Sequence, residues 1–171
     1  MNTNSSRILR PAKLGFIFTT TLVALALNML PWPDVRWVPD FLAVVIIFWC
    51  THQPRKMGMG VAFVLGLAMD VVNGTLIGQH ALAYTLLAFG AFVIHRRVHW
   101  FTQWQQSLHV LALLLIAQTV MLIVRMIAGG TFPGMLIYVG SVISALLWPV
   151  VTLILLTPQR MAENVDANRP L

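Results

Sequence analysis

Long apolar runs alternate with short polar breaks along almost the whole chain. The runs cover Leu14–Leu30, Val38–Thr51, Met57–Val72, Leu76–Ile94, Ser107–Ala128 and Met135–Thr157. None shows the strict two-residue alternation of a half-exposed strand, and most are long enough for a helix in an apolar medium. The pattern predicts an all-α integral membrane protein, a bundle of six transmembrane helices in one domain over 1–171. The second and third runs fall short of the roughly 17 residues a span needs. A hairpin dipping in from outside would hold Arg55 and Lys56 at bilayer depth, at about 2.5–3.5 kcal/mol each. Two short spans with local bilayer thinning cost less.

Composition agrees with that reading. Hydrophobic residues make up 58% of the 171 and charged residues 9%, against about 25% charged in soluble domains, and the mean hydropathy is +0.82. The net charge of +6 does not point to nucleic acid, because the basic residues stand in small groups between apolar runs instead of forming one stripe. With the amino terminus inside, Arg7, Arg10, Lys13, Arg55, Lys56, Arg96, Arg97, Arg160 and Arg169 face the cytoplasm, leaving only Arg36 and Arg125 outside. That bias places both termini in the cytoplasm. Arg7, Arg10 and Lys13 before an apolar stretch, with Ala24-Leu25-Ala26 further on, imitate a cleavable signal. The apolar spans that follow favour an uncleaved first span. The single Cys50 excludes an internal disulfide and thiolate-cluster metal sites.

"NMLPWPDVRW" at 28–37 closes the first run. Pro31 and Pro33 stop the helix, because each lacks a backbone donor and disfavours helical geometry in the residue before it. Trp32 and Trp37 suit the headgroup layer, and Asp34, Arg36 and Asp40 are then solvated or paired at that boundary. On the other side, Trp100 and Trp104 with Gln103, Gln105 and Gln106 predict a short amphipathic stretch along the inner interface before the fifth span.

Asp70 is the residue most in need of a partner, since a carboxylate near a span end is costly unless it meets water, a donor or the bundle interior. Helical spacing puts Phe63, Gly66 and Asp70 on one face, and Ala62 with Gly66 forms a small-xxx-small pair that lets a neighbouring helix approach. Asn73-Gly74 signals a turn and Gly78 a second break. Two readings of Asp70 stand side by side: a turn that caps the bundle or receives a partner, and a carboxylate that hydrogen-bonds loop amides. Arg125, near the outer end of the fifth span, is a candidate partner for Asp70 or Asp40. In the last span Gly140, Ser141, Ser144 and Ala145 suggest close packing, and Pro149 after Trp148 a kink.

Reactive chemistry is not visible. There is no nucleophile elbow, no pair of carboxylates set for acid and base work, and no phosphate-cradling glycine loop. His95 and His99 have metal-compatible spacing but flank arginines without a carboxylate, so His52, His80, His95, His99 and His109 read as interfacial or packing residues. No metal or cofactor is expected.

The segments "LPWPD" at 30–34, "GLAMDVVNGTLIGQHALAY" at 66–84, "WQQSL" at 104–108 and "LLWP" at 146–149 resemble the MreD family of bacterial rod shape-determining membrane proteins, of the proteobacterial type. The resemblance runs from the first span to the last and implies a non-enzymatic inner-membrane part of the cell-elongation machinery. It implies that rod shape is maintained by binding MreC and by coupling the MreB cytoskeleton to lateral peptidoglycan synthesis by RodA and its partner transpeptidase. The fold implied is similar to the substrate-binding subunits of energy-coupling-factor transporters. The family brings no catalytic residues, and its motif positions fall on Pro31, Trp32, Pro33, Asp34, Asp70, Gly74, Gly78, Trp148 and Pro149. Gly66 joins them as a structural candidate. Membrane lipids are expected partners, and homo-oligomerisation stays open. The tail from Arg160 to Leu171 matches no part of the pattern.

Two rivals make different demands on the fold. A small-molecule-binding membrane subunit of a transporter requires a polar pocket open to the outside near Asp70, Asn73, Gln79 and His80. An intramembrane enzyme requires Asp70 and His80 to work as a pair.

Overall fold

A computed structural model describes residues 12–30, 38–98 and 102–161. Among these the chain is all-helical, with α1 Leu14–Met29, α2 Phe41–His52, α3 Met59–Asn73, α4 Gln79–Val98, α5 Gln103–Ile127 and α6 Ile137–Met161. Each of the six apolar runs holds one helix. Two segments, Gln103–Ile127 and Ile137–Gln159, are long and apolar enough to cross a membrane. The shortest, α2, has 12 residues and is about 18 Å long at 1.5 Å per residue.

α2 is the centre of the bundle. Every residue from Leu42 to Thr51 is buried, as expected of a helix apolar on all sides. α1, α4, α5 and α6 pack around it, whereas α3 lies outside and packs on α4. Asp40 starts α2 by accepting the backbone N–H of Ala43 at 2.9 Å, satisfying one of the donors a helix leaves open. In α1, Thr19, Thr20 and Thr21 return their hydroxyls to carbonyls one turn back, at 2.8–2.9 Å. An apolar helix thereby carries three hydroxyls without needing water.

α3 meets α4 at backbone contact. A Cβ at Gly66 would lie 2.4 Å from Ala81 Cα, so the small-residue expectation at Ala62 and Gly66 is met. The face differs from the expected one at Phe63, which is 45% exposed while Ala62, Met69 and Asp70 are buried. The seam is too narrow for an aromatic ring, and Phe63 is turned outward beside it. Gly74 ends α3 in the left-handed conformation, φ 59°, and Thr75 donates its N–H back to Asp70 O at 3.1 Å. The fourth helix begins at Gln79 instead of Leu76, because Leu76 to Gly78 belong to the turn and Gly78 has φ 104°.

The inner-interface stretch expected at Trp100, Gln103, Trp104, Gln105 and Gln106 is, from Gln103 on, instead continuous with α5, while Trp100 and His99 lie outside the described residues. Thr102 and Gln105 form a reciprocal capping box, which starts the helix there and satisfies two end donors. α6 carries Pro149 and Pro158 within it. Pro31, Trp32, Pro33 and Asp34, with Arg36 and Trp37, lie outside the described residues.

Candidate functional site

Asp70 is 0% exposed and acts as the cap of the helix that follows it. Its Oδ2 accepts the backbone N–H of Gly78 at 2.8 Å and of Ala81 at 3.4 Å. Oδ1 accepts from His80 N at 2.8 Å, from His80 Nδ1 at 2.8 Å and from the Thr75 hydroxyl at 3.1 Å. Gly74 and Gly78 bend the intervening loop so that the α4 amides converge on a carboxylate from the last turn of α3. A negative charge at a helix N-terminus is also favoured by the helix dipole. Five donors exceed the roughly four acceptor positions of a carboxylate. The reading in which Asp70 hydrogen-bonds loop amides therefore holds, and the Asp70–His80 contact is part of a cap whose carboxylate has no free lone pair for a substrate.

A second carboxylate, Asp40, joins four helices. Its Oδ1 accepts Asn28 Nδ2 of α1 at 2.8 Å, its Oδ2 accepts the Tyr84 hydroxyl of α4 at 2.8 Å, and its own N–H donates to Ser144 Oγ of α6 at 3.0 Å. Phe41 N donates to Asn28 Oδ1 at 3.1 Å, and Ser144 donates to Gly140 O at 2.8 Å. Tyr84 and Ser144 are fully buried. The His80 ring meets the Tyr84 ring edge-on, centroids 5.9 Å apart, so the two carboxylate networks abut.

The sequence marks Asp40 only as a boundary residue and Ser144 only as a packing residue. An N-cap signal is present, since Asp40 stands before the apolar run that begins at Phe41. Nothing local announces Tyr84 or Asn28 as its partners. The expected pairing of Arg125 with Asp70 or Asp40 does not form: Asp70 pairs with His80, Asp40 is engaged as above, and Arg125 folds against Gly130, where a Cβ would lie 2.8 Å from Arg125 Cγ.

Gly66, Asp70, Gly74 and Gly78 thus gather in one α3–α4 hairpin. Trp148 lies elsewhere, at the end of the bundle where α2 finishes and α5 begins. It is 1% exposed, donates Nε1–H to Gln106 Oε1 at 3.3 Å and meets Phe48 with centroids 6.1 Å apart. The described candidate residues therefore form two separate structural clusters, and Pro149 belongs to the second only by sequence.

Two concavities of similar size stand out among the described residues. One, of about 300 Å³, lies where α3 and α5 end and α2, α4 and α6 begin; Asp40, Asn73, Gln79, His80, Gln118 and Arg125 are among its walls. The other, of about 290 Å³, is an apolar groove between α1, α2 and α6, walled by Val23, Leu27, Val44, Leu147 and Val151 among others. Among the described residues no group of three or more His, Cys, Asp or Glu side chains is placed to hold a metal ion.

Residues 10–157 match the model of a family described as rod shape-determining protein MreD. The chain is also 28% identical over 145 residues to the rod shape-determining protein MreD of Haemophilus influenzae, covering 81% of this chain and 87% of that protein. No solved structure matches it.

Proposed function

This chain belongs to the MreD family of rod shape-determining proteins, and from that premise we propose that it is a six-span, non-enzymatic scaffold of the bacterial inner membrane. It binds MreC and couples the MreB cytoskeleton to lateral peptidoglycan synthesis by RodA and its partner transpeptidase. The helix order supports six spans. The charge bias assigns Arg55, Lys56, Arg96 and Arg97 to the cytoplasmic side, and successive helices can then run alternately out and in. The short helices suit a locally thinned bilayer. A scaffold role fits the two carboxylates, both of which are committed to tying helices together.

The observation that carries the partner reading is the apolar groove between α1, α2 and α6. α1 packs chiefly on α2, so a partner helix can lie beside it without dismantling the bundle. The occupant proposed is the membrane-spanning helix of MreC. Photocrosslinking in native membranes tests this, with probes at Leu147 in the groove, at Trp32, and at Val72 on the far side of α3. Capture of MreC from Leu147 is expected, with none from Val72; capture from Val72 and not from Leu147 refutes the groove.

The polar cleft favours a second reading, a ligand-binding membrane subunit of a transporter, because Asn73, Gln79 and His80 line it as that reading requires. Asp70 does not take part, being consumed by the cap.

A further inference from the structure

The polar cleft sits at one end of the bundle and is built from helix ends. Asn73 is the last residue of α3, Gln79 the first of α4 and Ile137 the first of α6; Asp40 caps α2, and Arg125 lies in the last turn of α5. Among the described residues that line it, two carry a fixed charge, and the charges are opposite: Arg125 and Asp40. At about 300 Å³ it is at the lower end of the range for small-molecule sites.

The ordinary place for an anion here would be the exposed amides at the start of α4. Asp70 already occupies them through Gly78, His80 and Ala81. An incoming anion is left with Arg125, whose guanidinium offers up to five donors and makes no hydrogen bond or ion pair with another described residue. Asp40 accepts three hydrogen bonds, from Asn28, Ala43 and Tyr84, which leaves about one acceptor position of its four. All three donors are uncharged, so its negative charge is not matched by a described cation. A ligand that satisfies both sites carries an anionic and a cationic group.

The loops that wall the cleft are apolar on their outer side. Leu76 and Ile77 are 52% and 74% exposed on one, and Phe132, Met135 and Leu136 are 48%, 73% and 57% exposed on the other. A polar hollow with an apolar rim suits an amphiphile better than a freely soluble molecule. We infer that the cleft receives the headgroup of a zwitterionic phospholipid of the phosphoethanolamine class, the phosphate on Arg125 and the ammonium on Asp40, with the acyl chains running over the apolar rim. Gln79 and Gln118 supply further hydrogen bonds to the headgroup. The inference shares with the proposed function its membrane setting, and is independent of MreC.

The test uses the full chain purified in a nonionic detergent, with binding read by native mass spectrometry and by the shift in thermal unfolding. Phosphatidylethanolamine, phosphatidylglycerol and water-soluble phosphoethanolamine are the probes. Phosphatidylethanolamine is expected to bind at least tenfold more tightly than phosphatidylglycerol, which keeps the phosphate and lacks the ammonium. Arg125→Gln is expected to weaken phosphatidylethanolamine about tenfold. Asp40→Asn, judged only if it unfolds cooperatively without lipid, should erase the preference between the two lipids. Equal binding of both lipids to the unaltered chain, or no effect of Arg125→Gln, overturns the site. Phosphoethanolamine binding as tightly as the lipid overturns the lipid assignment in favour of a soluble zwitterion. Failure of MreC capture at Leu147 leaves these outcomes intact, whereas release of the chain from membranes by alkaline carbonate would end both proposals.

Discussion

Gly66 of α3 and Ala81 of α4 meet backbone to backbone: a Cβ at position 66 would stand 2.4 Å from Ala81 Cα and 2.6 Å from Ala81 N. The obstacle is main chain in the first turn of α4, which cannot rotate away as a side chain can. Gly66→Ala should therefore lower stability by about 1–3 kcal/mol, the usual cost of overpacking. Gly60→Ala, on the same helix with nothing within 4 Å, should be neutral or slightly stabilising, since alanine is the better helix former. Thermal unfolding of the two variants in the same detergent compares them directly. Equal behaviour would contradict the close α3–α4 contact.

The cap supplied by Asp70 predicts a graded loss. Asp70→Ala leaves the amides of Gly78 and His80 without their acceptor, at about 1–3 kcal/mol. Asp70→Asn keeps one carbonyl oxygen and should recover part of that loss, because asparagine also caps helices. Stability and rescue of rod shape in cells lacking the protein should rank in the same order. Full stability of Asp70→Asn with complete loss of shape rescue would instead show that the carboxylate does something beyond capping.

Tyr84 and Ser144 approach Asp40 from different helices. Tyr84→Phe deletes one donor to a carboxylate with three acceptor bonds and should cost about 1.5–3 kcal/mol, the range for hydrogen bonds to charged groups. Ser144→Ala removes the acceptor of Asp40 N–H and should cost about 1 kcal/mol. Because both act on one residue, the double variant should depart from additivity by about 0.5 kcal/mol or more. A double-mutant cycle by chemical or thermal unfolding measures this, and strict additivity would argue that the network does not couple α4 to α6.

Gly74 and Gly78 have φ of 59° and 104°, and a Cβ placed at either would meet nothing within 4 Å. Their substitution costs are then conformational, not steric against neighbours. Gly74→Ala should cost about 1 kcal/mol, the penalty for the left-handed region. Gly74→Asn should cost less, since asparagine visits that region. Gly78→Ala should cost more than Gly74→Ala, because φ 104° lies outside the left-handed well and any adjustment there also disturbs the N–H that reaches Asp70 at 2.8 Å. Unfolding midpoints of the three variants check the order.

What can be read along the chain is local. The apolar runs locate six helices, Asn73-Gly74 marks the end of α3, and the four-residue spacing of Ala62 and Gly66 announces a close contact. These features depend on interactions within a few residues, where hydrophobic periodicity, turn chemistry and the missing Cβ act directly. The start of the fourth run misleads, because Leu76 and Ile77 are apolar yet belong to a turn governed by Gly78 and Asp70. The stretch around Trp104 misleads for another reason: a polar, aromatic helical turn looks the same on a membrane surface as at the start of α5.

Sequence alone thus determined the helical class, the number of helical segments and the family motifs; only the tertiary structure decided which groups meet. Asp40 stands 44 residues from Tyr84 and 104 from Ser144, distances over which no local pattern carries information. The all-round apolar surface of α2 suits it to a central place, but that α1, α4, α5 and α6 are the helices that cover it is a result of packing that its own pattern cannot specify. Arg125 stayed out of both carboxylate networks for a similar reason. Asp70 is saturated by the amides that open the next helix, whereas Asp40 is held by uncharged donors from α1, α2 and α4 with about one acceptor position left over, while Arg125 folds against Gly130 instead of reaching it.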